Sequence, residues 1–165
     1  MKRVGFVGDF RNPPIQAQWY QVLEAGQSLG VEALRFDVRS PEDILRSFET
    51  AVKQQVQALR VSVDGTTRPN RRLIVELATK YKLPAIHGAR EFADDGGLIS
   101  FSPDYGHLYW RAASFVDRIF KGDKPADLPI ELPSKFELLL NLKTAKSIGL
   151  EVAPTFYARV DEVIE

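Results

Sequence analysis

Between residues 4 and 102 the chain alternates between short apolar runs and stretches of helical period. A strand buried on both faces reads as a continuous apolar run. A helix packed along one side repeats its apolar residues every three to four positions. Regular alternation of the two implies right-handed β-α-β crossovers and a parallel sheet with helices on both faces. VGFVGD (4–9), VEALRFDV (31–38), ALRVSVD (58–64), LPAIHG (83–88) and LISFS (98–102) are the strand candidates. Ile15, Trp19, Val22, Leu23 and Gly26 mark the first helix, which Gly30 closes. Ser40 caps the second, with Pro41 at its first position and Ile44, Leu45, Phe48, Ala51 and Val52 as its stripe. Leu73, Ile74, Leu77, Ala78 and Tyr81 mark the third. The expected fold class is α/β, with strand order 2-1-3-4-5.

The second half is less regular. Residues 89–97 read as a turn-rich segment before the fifth strand. Leu108, Ala112, Phe115, Val116, Ile119 and Phe120 then mark a long helix, followed by the charged, proline-containing connector KGDKPADLP (121–129). PIEL and FELLLN are further strand candidates, LKTAKSIG a short helix, and APTFYARVDEVIE a final helix. The chain thus divides into an α/β ligand-binding lobe, residues 1–102, and a crossover helix with terminal elements, 103–165, that complete it.

Lysine plus arginine and aspartate plus glutamate both number 22, so the formal charge is zero. That argues against a nucleic-acid binder, which carries a basic excess on one face. Cysteine is absent, which excludes disulfides and thiolate metal sites. The two histidines stand in no metal-binding spacing. No apolar run approaches the ~20 residues that span a bilayer, and the first ten residues lack the apolar core of a secretory signal. Taken as complete, the sequence is expected to be cytoplasmic.

In an open parallel sheet, ligands bind beyond the carboxyl ends of the strands. Those ends place Asp9, Phe10, Arg11 and Asn12 after strand one, and Arg39 after strand two. Asp64, Gly65, Thr66 and Thr67 follow strand three. His87, Gly88, Arg90, Glu91 and Phe92 follow strand four, and Ser102 and Tyr105 follow strand five. Phe10, Asn12, Asp64, Thr66, His87, Glu91 and Phe92 are the candidate ligand contacts, suited to a small polar molecule with an apolar part. Each has a plainer role to compete with: Asp64 as a turn cap, His87 as a packed ring, Phe92 as core. No nucleophile elbow, phosphate loop or dinucleotide fingerprint is present, and no cofactor is expected. Asp9 and Asp64 suggest the acidic pocket of a phospho-accepting receiver domain. That reading lacks its second acid, where Phe10 stands, and its lysine after strand five.

From residue 83 onward the sequence resembles the ABC transporter substrate-binding family related to tryptophan- and tyrosine-binding lipoproteins. REFADDGGLISFSPD (90–104) is similar to that family's REF-x-x-x-GGL-x-S segment, and KGDKPADLPIELPSKFELLLNLKTAKSIGL (121–150) to its characteristic ending. Residues 1–82 resemble its second lobe less distinctively, and DGTTRPN (64–70) departs from it. The resemblance implies a type I periplasmic-binding-protein fold, with two lobes closing on a ligand, of which the first is missing here. It further implies a non-enzymatic role, an ABC permease as partner, a periplasmic location, and amino acids as the best-known ligand class. A truncated cytosolic small-molecule- or protein-binding domain, and an enzyme using Asp9 and Asp64, are the competing readings. Without a first lobe, Leu108, Phe115, Val116, Ile119 and Phe120 lose their partner surface, so a homodimer is expected.

Overall fold

The computed structural model describes residues 2–165. Five strands alternate with helices in the first part: β1 (Arg3–Gly8), α1 (Pro13–Leu29), β2 (Glu32–Asp37), α2 (Pro41–Lys53), β3 (Ala58–Val61), α3 (Arg71–Lys80), β4 (Ala85–His87), α4 (Arg90–Asp94) and β5 (Ile99–Pro103). Then come α5 (Tyr105–Phe120), β6 (Phe136–Asn141), α6 (Leu142–Ile148), α7 (Pro154–Tyr157) and β7 (Glu162–Ile164). The described strands form one sheet in the order β2-β1-β3-β4-β5-β6-β7. The first five are parallel in the expected order, β6 runs antiparallel to β5, and β7 runs parallel to β6.

Local chemistry explains the helix boundaries. Gly30 ends α1 in the left-handed region, at φ 64°, where a side chain would be strained. The Ser40 hydroxyl accepts the Asp43 N–H at 3.2 Å, with Pro41 at the first helical position of α2.

Alternation along β1 sends Val7 and Phe6 to opposite faces. Val7 joins the main core, where Phe36, Val38, Leu59 and Val61 meet Ile44, Phe48, Ile74, Leu77 and Phe92. Phe6 joins a smaller cluster with Phe10, Ile15 and Trp19 under α1, its rings meeting edge-on or tilted at 5.7–6.0 Å. A third cluster, around Leu98, Leu140 and Ala145, takes in Ile148, Val152 and Phe156 and ties the C-terminal elements to the sheet.

Three local expectations change. Residues 90–94 form a helix, not merely a turn, because Phe92 and Ala93 bury themselves against the core. PIEL is no strand: Ile130 and Leu132 are exposed and pair with nothing described. The tail is not one helix, because Glu162–Ile164 finds a free edge beside Leu139–Asn141. A strand edge with unmet backbone groups outcompetes a short isolated helix. The anticipated long helix forms as α5, yet it buries none of its residues.

Candidate functional site

The loops at the carboxyl ends of β1 and β3 are built around Asp64. Its Oδ2 accepts the Asp9 N–H at 3.1 Å and the Ser62 hydroxyl at 2.8 Å; its Oδ1 accepts the Thr66 and Thr67 N–H groups, each at 2.8 Å. The Thr67 hydroxyl accepts the Asp64 N–H and donates to the Ser62 carbonyl. A carboxylate with four donors has no lone pair left for further work, so Asp64 fixes the loop. Thr66 is held by that loop and donates its hydroxyl to Asp9 Oδ2 at 3.2 Å.

Asp9 stands at the rim itself. Its carboxylate takes a fork from Arg11, with Nε at 2.9 Å and Nη2 at 2.6 Å, plus the Arg11 N–H at 3.0 Å. Bonding to the Arg11 guanidinium holds the acid down at about 2. Phe10 is buried; its N–H donates to Asp37 at 3.1 Å, and the Arg35 guanidinium covers its ring at 3.8 Å. Asn12 precedes α1 half-buried, and its side chain makes no capping bond.

At the other end of the rim, His87 lies fully buried at the close of β4 and stacks on Phe92 with centroids 4.6 Å apart. Neither ring nitrogen has a partner among the described residues, and burial, with Arg60 adding to it, pushes the imidazole down to about 3. Gly97 makes room for it: a Cβ there would come within 3.0 Å of the ring. Phe92 is likewise fully buried. Glu91 pairs with Arg68 at the surface and lines an open cleft of about 480 Å³. Arg90 and Asp94 of α4, Ser102 and Asp104 at the end of β5, Tyr105 and Tyr109 of α5, and Glu137 of β6 line it too.

The structure thus brings Asp9, Thr66 and Asp64 into one network and puts Glu91 in the cleft. Phe10, His87 and Phe92 support the rim from the interior. The strand-end rule does not reach Arg68, Asp94, Asp104, Tyr109 and Glu137, which also line the cleft. Glu137 enters only through the antiparallel register that sets it opposite Ser102. Among the described residues, no group of three histidine or acidic side chains is placed to hold a metal ion, and no helix is long and apolar enough to cross a membrane.

Comparison with known proteins defines the class. Residues 15–164 match the family model described as ABC transporter substrate binding protein. The chain belongs to that family. No curated protein matches it. Among solved structures, a conserved domain protein from Vibrio cholerae superposes with a TM-score of 0.89 at 17% identity, over 98% of this chain and 54% of the other. An ABC domain from Streptococcus pneumoniae in complex with L-Trp gives 0.86 at 23% identity, over 99% and 56%. A ligand-free, open substrate-binding protein with adhesive properties from Clostridium difficile gives 0.75 at 16% identity, over 99% and 54%. The chain therefore spans about half the length of each of these structures.

Proposed function

We propose that the chain is one lobe of a solute-binding component of an ABC transporter, presenting its strand-end rim to a small polar ligand such as an amino acid. The observation that carries this reading is the rim itself. Loops rigidified by Asp64 and an open cleft of about 480 Å³ lie together beyond the carboxyl ends of the parallel strands, where this sheet class binds ligands. Asn12, Thr66 and Glu91 supply polar groups there, while Phe10, His87 and Phe92 hold its shape from beneath. The similar fold captured with L-Trp supports an amino acid. The partner in this reading is a membrane permease, and the working place is outside the cytoplasmic membrane. The enzyme reading is disfavoured by the wiring: Asp64 has its oxygens engaged and Asp9 is clasped by Arg11. We also place a second copy over α5, whose apolar side chains the described residues leave uncovered. Sedimentation at micromolar concentration gives a dimer on this view, and a clean monomer overturns that part.

A thermal-shift screen against the amino acids tests the main reading. A ligand at 100 times its Kd stabilises by about 2.7 kcal/mol, a clear rise in Tm. Thr66→Ala weakens the response. If no amino acid at millimolar concentration shifts the melting temperature, the reading fails.

A further inference from the structure

We infer that the cleft beside α4 receives the ammonium end of its ligand, so that this lobe recognises a primary amine in preference to a carboxylate. The inference rests on the solute-binding reading and names the chemistry of that site.

The first observation is a surplus of acceptors. Two arginines and four carboxylates line the cleft. Arg68 is taken by Glu91. Arg90 gives both its Nη donors to Glu162, outside the cleft lining, at 2.8 Å each. Asp94 and Glu137 stand farther from it, at 3.6 and 3.9 Å. Asp104 uses one oxygen to cap α5, accepting the His107 N–H at 2.8 Å. With Arg68 paired to Glu91 and Arg90 to Glu162, Asp94, Glu137 and the second Asp104 oxygen keep acceptor capacity, and the cleft holds an excess of negative charge.

The second observation is independent of charge. Ser102 lines the cleft at 1% exposure, and its hydroxyl has no hydrogen-bond partner among the described residues. A buried hydroxyl left unpaired costs free energy that a ligand can return. Ser102 sits directly opposite Glu137 in the β5–β6 register, so their side chains share one face of the sheet. An ammonium group has three N–H donors and no acceptor. The Ser102 hydroxyl oxygen and the Asp94 and Glu137 carboxylates offer an acceptor to each of its donors, whereas a ligand carboxylate would meet its own charge. Tyr105 and Tyr109, one turn apart on α5, are exposed and form an aromatic wall beside it. Such rings favour a cation and an apolar ligand body alike.

The test is calorimetric titration of the chain with three probes of one ring system: tryptamine, L-tryptophan and indole-3-propionate. Tryptamine and L-tryptophan are expected to bind, with indole-3-propionate roughly 10- to 100-fold weaker. Glu137→Gln and Asp94→Asn, both at partly exposed positions where folding is preserved, should each weaken tryptamine by about 10-fold. Indole-3-propionate binding as tightly as tryptamine overturns the inference, as does tryptamine affinity unchanged in both variants. Absence of binding by all three probes also overturns it. If the amino-acid screen then still yields a ligand, the solute-binding reading stands alone; if that screen is empty as well, both fall.

Discussion

Helices α2 and α5 both carry apolar stripes, and the molecule treats them in opposite ways. In α2, Ile44, Ser47, Phe48 and Ala51 disappear into the core, with Phe48 stacked on Tyr81 at 6.5 Å. In α5 nothing is buried: Val116 and Ile119 remain exposed, and Tyr109, Trp110 and Phe120 more so. Periodicity therefore reports that a face wants cover, and topology decides whether the same lobe supplies it. The segment returning from α5 to β6 touches the helix through the Arg111–Glu131 pair, with Leu132 and Ser134 alongside. It offers an edge, not a layer.

The contrast can be broken or sharpened by experiment. Phe48→Ala should cost about 3–5 kcal/mol in denaturant unfolding. Val116→Ala should stay within about 0.5 kcal/mol at dilute concentration, where α5 has no cover. Comparable losses at the two sites would show that α5 is packed in solution. Asp64→Ala leaves the N–H groups of Asp9, Thr66 and Thr67 without their acceptor and should cost about 3 kcal/mol; a loss under 1 kcal/mol would mean the rim loops hold themselves.

A third effect depends on pH. His87 has a folded-state value of about 3 against 6.5 for the free side chain, so it is neutral in the fold and takes a proton on unfolding. Stability from this group is complete above pH 6.5 and is lost progressively as the pH falls toward 3. At pH 5 the loss is roughly 2 kcal/mol, and His87→Leu should flatten the stability profile between pH 7.5 and 5. A profile unchanged by that variant rules the imidazole out as the source.

The smallest difference concerns the caps. Ser40→Ala should lower global stability by about 1 kcal/mol. Asp104→Ala removes an equivalent bond to the His107 N–H, yet should speed hydrogen exchange only along α5, leaving the global midpoint in place.

The parallel half was legible because its signals are local. Ser40, Pro41 and Gly30 punctuate helices, and doubly buried strands read as apolar runs. The order β2-β1-β3-β4-β5 is the doubly wound arrangement that such alternation favours. The C-terminal half was less legible because its partners are distant in sequence. Whether Glu162–Ile164 is helix or strand depends on the edge of β6, some twenty residues away, and no period within the tail encodes that edge. The site divides the same way. Asp64 and Thr66 follow from a strand-end rule, whereas Ser102 and Glu137 become neighbours only through a register across a long excursion. His87 and Phe92, expected to touch ligand, occupy interior positions because α4 forms and carries Phe92 inward.

That excursion also has a mechanical side. The chain departs at Pro103 and returns at Phe136, and these two are register partners on adjacent strands, with the Asp104 N–H bonded to the Lys135 carbonyl at 3.0 Å just beyond them. Everything between is a lever attached at a single pivot. Every hydrogen bond and ion pair that residues 104–135 make among the described residues stays within that segment, so turning it breaks no bond of the sheet. Tyr105 and Tyr109 ride near the base of that lever, close to its fulcrum, while Phe120 rides at its tip. A small rotation at the cleft would therefore become a wide sweep at the far end, and a load on the tip would return as torque on the cleft wall.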